Sequence, residues 1–234
     1  MRDLLPEPLF DAVQRHLRER AIAARAGWDS ASEDEDALTG DFCGALRSSW
    51  TELRTDTGAW RWRVWYKKFR GRGPEAFEKD TGADGIVQVE VHGPNGEITT
   101  KGVLFQAKKD RGSSRSDLIG QVRKMEALAP RGSAVFEFGP DAYRASAGSI
   151  VLGEFEARPG RIPHPKDDIG EYLAGQFLPC HSGLRGMYYD AVRKILVVPS
   201  NGAVKVVPLQ LRHRVRFDLV HESRFEGAEG RFER

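Results

Sequence analysis

Residues 85–108 contain the feature that most restricts how this chain can fold: two apolar strand patterns on either side of a strong turn signal. The first pattern reads GIVQVEV, the second reads GVLFQAK, and the segment between them contains Pro-Asn-Gly. These turn residues supply fixed or positive φ angles and therefore favour a tight reversal of the chain. The pattern predicts an antiparallel hairpin inside a sheet that is covered by helices on its faces.

The second strand ends in polar residues rather than in a turn, because residues 106–110 read Gln-Ala-Lys-Lys-Asp. Residues two apart point to the same side of a strand, so Gln106 and Lys108 share one face. A hairpin folded symmetrically about its turn places Asp84 opposite Ala107 or Lys108. We therefore expect a carboxylate, an amide and an ammonium group to meet at the end of the hairpin farthest from the turn.

The rest of the chain alternates between helical and strand periodicities, which predicts an α/β fold with a mixed central β-sheet flanked by helices. Gly153 to Pro165 is the only candidate boundary, so we predict a core at residues 1–155, with an N-terminal helix, and a C-terminal α/β extension at 156–234 packed on the same domain. The predicted helices cover residues 7–26, about 32–53, 116–128 and 165–178; the predicted strands cover 60–69, 133–139 and 143–155, with two or three more in 194–220.

Composition excludes several classes of protein. The apolar runs are shorter than the roughly 18 residues of a membrane span, and two cysteines provide no disulfide framework, which together suggest a cytoplasmic protein without a membrane segment. A net charge of +2 is uninformative, but basic residues cluster in RWRVWYKKFRGR, QAKKDRGSSR and LRHRVRF. These clusters favour a polyanion-binding face, although each alone is also typical of a solvated surface.

The polar end of the hairpin has the chemistry of a magnesium site. Asp84, the side-chain oxygen of Gln106 and the Ala107 carbonyl are hard oxygen donors of the kind that Mg²⁺ prefers. Lys108 beside such an ion would orient a water molecule and hold negative charge that develops on a phosphate. As isolated signals these residues are commonplace, since Asp84 also suits a turn and Gln-x-Lys suits an exposed strand end.

A further carboxylate is expected from the acidic run SEDED at 32–36, at the start of the second helix. Glu35 lies seven residues before Phe42 and so falls on the inward-facing side of that helix, which makes it the preferred candidate. Asp41 is the second choice. Glu35 also has a structural alternative, because Ser32 and Glu35 have the spacing of a capping box.

The order of these elements resembles the PD-(D/E)XK nuclease superfamily over roughly residues 30–155. The resemblance rests on the acidic helix, the hairpin formed by GADGIVQVEV and KGVLFQAKKD, and the following helix with IGQVRKM. The Gln-x-Lys form of the second motif is similar to that of Mrr-type restriction endonucleases. Ala83 stands where the motif often has proline, and Gln106 stands where it often has glutamate.

The resemblance implies a restriction-endonuclease-like fold and a Mg²⁺-dependent endonuclease, with Mn²⁺ able to substitute. By matching position, Asp84, Gln106, Lys108 and Glu35 would be the catalytic residues, and Asp84, Gln106, Ala107 and Glu35 would hold the metal. The partner would be DNA, and the setting would be restriction or antiphage defence. A sensor or ATPase partner protein and a homo-oligomer remain open.

Six residues are predicted to contact nucleic acid: Arg61, Arg63, Lys67, Lys68, Lys109 and Gln121. Trp60, Trp62 and Tyr66 share the face of the predicted strand 60–69 that is opposite Arg61, Arg63 and Lys67, and such an aromatic face is more typical of a core than of base stacking. His164, Cys180 and His181 lack the regular spacing of a metal site.

Two other functions remain open. A catalytically inactive nuclease-fold subunit would bind nucleic acid or assemble with partners, and the neutral amide of Gln106, which weakens Mg²⁺ binding, leaves this alternative open. A nucleotide-binding metabolic enzyme is disfavoured, because the sequence contains no Walker-type phosphate loop.

Overall fold

This computed structural model describes residues 1–69, 81–110, 116–200 and 202–225. Parts of two basic clusters, at 70–72 and 111–115, lie outside the described residues. The α/β class and the mixed central sheet flanked by helices are confirmed. Within the described ranges, no helix combines the length and apolar composition that a membrane span requires.

The helices carry the labels α1 to α6 in chain order. They are α1 (Glu7–Ala24), α2 (Trp28–Ala31), α3 (Glu35–Ala45), α4 (Leu118–Leu128), α5 (Gly148–Ala157) and α6 (Ile169–Glu171). Short 3-10 segments occur at Arg25–Gly27 and Glu222–Arg224, and a π-helical segment at Tyr172–Phe177 continues α6.

The strands are labelled β1 to β12. They are β1 (Thr51–Thr55), β2 (Gly58–Lys68), β3 (Gly85–His92), β4 (Ile98–Lys109), β5 (Ser133–Phe138), β6 (Tyr143–Ala147), β7 (Asp167–Asp168), β8 (Leu184–Arg185), β9 (Tyr188–Asp190), β10 (Ile195–Ser200), β11 (Ala203–Pro208) and β12 (His213–His221). The main sheet has the order β1-β2-β12-β3-β4-β5-β6-β7 with β8 beside β4, and β11-β10-β9 form a smaller sheet.

The predicted hairpin is formed by β3 and β4, which pair antiparallel around the Pro-Asn-Gly turn. Gly85 pairs with Phe105, so the next position along the hairpin sets Asp84 opposite Gln106. The predicted register, with Asp84 opposite Ala107 or Lys108, was therefore displaced by one or two residues. A symmetric turn was assumed, and a small shift in the turn moves every pair along the strands.

Strand β12 lies inside the main sheet, antiparallel to β2 and parallel to β3. It comes from the C-terminal part of the chain but pairs along the whole length of the predicted core strand β3. The C-terminal residues therefore complete the core sheet, and the boundary proposed at 155/156 does not separate two sheets. The restriction-endonuclease-like classification of this topology stays a prediction.

Alternating residues of the strands pack into two apolar clusters on opposite faces of the sheet. On one face, α1 and α3 cover Val103 and Phe105 of β4. On the other face, Leu104 is covered by α4, by α5 and by part of the small β9–β11 sheet. Gln106 and Lys108 continue the line of Leu104, so they stand at the end of the second face, as the alternation predicts. Trp60 and Trp62 are buried, as a core face requires.

Two boundaries differ from the sequence-based expectation. The second helix ends at Ala45, and the predicted helical stretch up to residue 53 instead contains β1. Residues 143–155 divide into β6 and α5 at Gly148, although their apolar run suggested one strand. Short apolar runs fit either a buried strand or a buried helix, so the tertiary contacts decided both cases.

Lys101 is fully buried in the middle of β4, where its ammonium group donates to the Phe177 carbonyl and lies 4.4 Å from the Phe177 ring centroid. Burial lowers the pKa of Lys101 from 10.5 to about 8. Between these two values the unfolded chain binds a proton that the folded chain has released, so this lysine makes the protein more stable as the pH rises through that interval. Below pH 8 both states are charged and the cost of burial remains.

The Lys101→Met variant is therefore expected to raise the free energy of unfolding at pH 7 by about 1 to 3 kcal/mol, less whatever the lost hydrogen bond to Phe177 contributes. Urea unfolding from pH 7 to 10.5 should also show a smaller rise of stability with pH than in the wild type. Lys205→Met, an exposed change on β11, is the control. An unchanged pH slope in Lys101→Met would contradict the assignment.

Candidate active site

Two glycines bring the chain around Asp84 close to its neighbours. Gly82 has a φ angle of +70°, and a Cβ atom there would lie 2.5 Å from the backbone oxygen of Gln121. A Cβ atom on Gly85 would lie 2.5 Å from the ring of Phe105. Both contacts are shorter than a side chain tolerates, so the Gly-Ala-Asp-Gly sequence serves the close approach of this segment to α4 and β4.

Asp84 is buried directly before β3 and faces the end of β4. Its Oδ2 atom accepts hydrogen bonds from the side-chain amide of Gln106 at 2.5 Å and from the backbone amide of Ala107 at 2.8 Å. Its backbone amide donates to the Phe105 carbonyl at 2.9 Å, and its own carbonyl accepts from the amide of His213 at 3.1 Å. The hydrogen bonds from Gln106 and Ala107 thus fix the Asp84 carboxylate against the end of β4.

The side-chain oxygen of Gln106 is the unsatisfied atom of this group. Gln106 is 1% exposed, and no donor among the described residues reaches its Oε1 atom. Leaving a buried carbonyl oxygen without a partner costs roughly 1–3 kcal/mol. Asp84, Gln106 Oε1 and the Ala107 carbonyl are hard oxygen donors of the type that Mg²⁺ or Mn²⁺ takes. Gln106 Nε2 donates to Asp84 Oδ2 and, at 3.1 Å, to the Ala107 carbonyl, so a half-turn of the side-chain amide would be needed to bring Oε1 beside the other two oxygens.

Helix α3 carries Glu35 to the end of β4. Asp34 is the N-cap of this helix and accepts from the amide of Asp36 at 3.1 Å, so Ser32 does not cap it and the capping-box interpretation of Glu35 was wrong. The Glu35 carboxylate accepts from the backbone amide of Lys109 at 3.0 Å, and its other oxygen lies 3.4 Å from Lys108 Nζ.

Asp41, the second choice, lies elsewhere. Its carboxylate fills the space beside Gly27, where a Cβ atom would meet Asp41 Oδ2 at 1.9 Å. Of these two acidic residues, Glu35 is the one that contacts the end of β4, through Lys108 and Lys109. Its catalytic role stays a prediction.

A chain of polar contacts fixes the start of α3 against the sheet. Asp36 accepts from Lys68 at 2.6 Å and lies 2.8 Å from His213 Nε2, whose Nδ1 atom lies 2.8 Å from the Tyr66 hydroxyl. Burial alone would raise the pKa of Asp36, but the hydrogen bonds of Lys68 and His213 outweigh it and keep that pKa below its ordinary value. Burial lowers the pKa of His213. These contacts hold Glu35, one residue before Asp36, in place.

The predicted nucleic-acid contacts do not form one surface around Asp84. Strand register places Lys68 level with Gly85 and Arg61 level with His92, the two ends of β3. Since β3 has 8 residues, these levels are separated by roughly 23 Å. Arg61 is therefore far from Asp84, and Lys67 and Lys68 are the nearer of the β2 candidates.

Several of these residues have structural partners already. The fixed pairs are Arg63 with Asp218 at 3.0 Å, Lys68 with Asp36, Arg61 with Glu52 at 3.2 Å, and the Lys109 ammonium with the Ser32 carbonyl. Lys67 is exposed and has no carboxylate partner among the described residues. Of the β2 candidates it is the one best placed to contact a phosphate.

Gln121 lies on α4, beside the Gly82 turn, and its side-chain oxygen is buried without a donor among the described residues. Its backbone contact with Gly82 brings it near the Asp84 segment. The position of Gln121 is therefore compatible with the prediction that it reaches the site or a phosphate, and its role stays a prediction.

A second polar cluster, formed by Asp110, Glu137 and His164, was missed at the sequence level. His164 Nδ1 lies 3.0 Å from both carboxylate oxygens of Glu137 and 3.9 Å from Asp110 Oδ1. Glu137 pairs with Lys108 across β4 and β5, so this cluster adjoins the candidate active site. The available signal was a glutamate in the otherwise apolar strand VFEF.

No protein-family model, curated protein or solved structure matches this chain.

Proposed function

We propose that this protein is a metal-dependent nuclease that hydrolyses phosphodiester bonds of DNA. The observation that carries the proposal is the buried Gln106 Oε1 atom, which has no donor in the described structure and belongs to a residue bonded to the Asp84 carboxylate. A cation bound beside Asp84 would give that oxygen a partner once the side-chain amide turns its oxygen toward the Asp84 carboxylate. Lys108 lies two residues after Gln106 on the same face of β4 and would supply the positive charge that a phosphodiesterase site needs.

Asp84, Gln106, the Ala107 carbonyl and Glu35 would hold Mg²⁺, or Mn²⁺ in its place. When bound, the ion would supply the Lewis acidity that activates a phosphodiester toward water. The carboxylates of Asp84 and Glu35 would supply the negative charge that the neutral amide of Gln106 lacks, although Lys108, 3.4 Å from Glu35, offsets part of it.

Lys108 would act on the phosphate and on the attacking water. Lys108 is 3% exposed and its side chain ends beside Glu35, so its ammonium group is held in a site from which water is largely excluded. In such a site a fixed positive charge stabilises the negative charge of the transition state more strongly than in water. Glu35 positions that ammonium group from the side of α3.

A non-catalytic nucleic-acid-binding or assembly subunit is the second candidate. It is favoured by the hydrogen bonds of the site, since Asp84 Oδ2 already accepts from Gln106 and Ala107, and Glu35 already accepts from Lys109. In this case the polar group would stabilise the strand end. DNA binding would then weaken as the salt concentration rises, without any cleavage.

Incubation of the purified protein with plasmid DNA tests the proposal, in parallel with Mg²⁺, with Mn²⁺ and with a chelator. We expect nicking or cutting that requires the metal. Duplex DNA, single-stranded DNA and RNA are compared as substrates under the same conditions, and DNA should be cleaved faster than RNA. Salt-dependent DNA binding without metal-dependent cleavage would favour the second candidate, and cleavage that survives the chelator would contradict the metal.

A further inference from the structure

The cluster of Asp110, Glu137 and His164 has the geometry of an open metal site. One atom from each residue can be chosen so that all three lie within 4.8 Å of one another. Ligands bound to one ion at about 2.0–2.2 Å in a tetrahedral arrangement lie roughly 3.3–3.6 Å apart. The distances from His164 Nδ1, 3.0 Å to Glu137 and 3.9 Å to Asp110, lie on either side of this spacing. Small side-chain rotations would therefore admit an ion.

Separate elements present these three residues to one point. Asp110 directly follows β4, and its amide donates to the Phe138 carbonyl at 2.7 Å. Glu137 is 1% exposed within β5, while His164 belongs to the segment between α5 and β7 and its side chain is about half exposed. The buried Glu137 carboxylate lies on the protein side of the cluster, and the half-exposed His164 imidazole lies on its solvent side. An ion bound between them would therefore be accessible to a ligand from solvent.

The donor types indicate the class of metal. One imidazole nitrogen with two carboxylates suits Zn²⁺ or Mn²⁺ better than Mg²⁺, because imidazole is a typical ligand of transition metals. Three protein ligands leave a coordination position free, which is the pattern of sites that bind a further ligand rather than of closed structural sites.

A cationic pocket of about 510 Å³ adjoins this cluster through His164. Its lining includes Arg144, Arg158, Arg161, Lys166 and Glu154, and Lys166 pairs with Glu154. The three arginines have no carboxylate partner among the described residues. Guanidinium groups recognise phosphate through paired hydrogen bonds, so the pocket selects for a phosphate group.

We propose that Asp110, Glu137 and His164 bind a Zn²⁺ or Mn²⁺ ion whose free coordination position takes a phosphate group held by the arginines of the pocket. This site shares no residue with the proposed nuclease site. Its existence is therefore independent of the proposed function, and the two are tested by different variants.

Zinc titration against a competing chromophoric chelator tests the metal site. His164→Ala is the main variant, because the half-exposed imidazole can be removed without opening the core, and Glu137→Gln is the isosteric second variant. Both should bind Zn²⁺ at least about tenfold more weakly than the wild type. His181→Ala, which removes an exposed histidine outside the cluster, and Asp84→Asn should keep the wild-type affinity at this site.

Equal affinity of the wild type and His164→Ala for Zn²⁺ would overturn the proposal, and would leave the cluster as a hydrogen-bonded pair of His164 and Glu137. Loss of the site in Asp84→Asn with retention in His164→Ala would also overturn it, since the bound ion would then belong to the other site. Circular dichroism of each variant without metal confirms that the comparison is made between folded proteins.

The phosphate part is tested with Mn²⁺, which shortens the ³¹P relaxation time of a phosphate bound next to it. The measurement uses inorganic phosphate and the Asp84→Asn protein, so that the nuclease site does not contribute. We expect enhanced relaxation that falls several-fold in the additional variant Arg161→Gln but not in Arg193→Gln, an exposed control. Enhancement that is absent, or that is equal in both variants, would overturn the phosphate assignment.

Discussion

The Lys108→Met variant is expected to lose roughly 10²- to 10³-fold of the metal-dependent cleavage rate while it keeps its affinity for DNA. Methionine retains the length and apolar stem of the buried lysine, so the packing at the end of β4 is preserved and the ammonium charge alone is removed. That charge is the group which the proposal assigns to the phosphate and the attacking water. Asp84→Asn, which keeps a similar shape but removes a charge that the proposal assigns to the metal, should have a loss of the same order.

Initial rates of plasmid nicking with Mg²⁺ measure this effect, and DNA binding is followed separately as a function of salt concentration. Lys205→Met removes an equal charge from the exposed strand β11 and should cleave at the wild-type rate. Undiminished cleavage by Lys108→Met would refute the assignment of the site. Loss of both cleavage and DNA binding would show instead that Lys108 contributes to DNA binding rather than to the chemical step.

The Asp218→Ala variant is expected to lower the free energy of unfolding by about 3 to 5 kcal/mol. Asp218 is fully buried in β12 and accepts hydrogen bonds from Arg63 at 3.0 Å and from Arg216. Burial raises the pKa of Asp218 in spite of these two arginines. Alanine would leave the buried guanidinium of Arg216 without its main carboxylate, and Glu90, at 3.9 Å, is a weak replacement.

Urea or guanidinium unfolding measures this loss. Glu52→Ala is the matched control, because it removes the carboxylate from an exposed pair with Arg61 at 3.2 Å on the neighbouring strands. Exposed pairs of this kind contribute about 0 to 1 kcal/mol. Similar losses in the two variants would mean that the burial of Asp218 has no energetic consequence, contrary to the expectation.

Local sequence patterns were sufficient for much of the fold. The β3–β4 hairpin, α1, the strand β2 and the helix after the hairpin were all recognisable, because each has a clear periodicity and a strong boundary residue. The division of residues 143–155 into β6 and α5 was not recognisable. An apolar run of that length satisfies both conformations, and the contacts of α5 with α4 and the sheet decided between them.

The candidate active site was predictable in part. Asp84, Gln106 and Ala107 are joined by one hairpin, so the turn and the alternation of the strands were enough to bring them together. The choice of Glu35 depended on a prediction of which face of α3 points inward. Its contacts with Lys108 and Lys109 require the anchoring of α3 by Lys68 and His213, which come from two other strands.

By itself, the sequence determined the hairpin, the side of β4 on which Gln106 and Lys108 stand, and the polar character of the end of that strand. Tertiary structure alone decided that β12 lies between β2 and β3 and that His164 meets Asp110 and Glu137. The physical reason is the range of the interactions. Periodicity and turn chemistry act between residues close in the chain, whereas strand insertion and side-chain clusters depend on how distant segments share one sheet and one core.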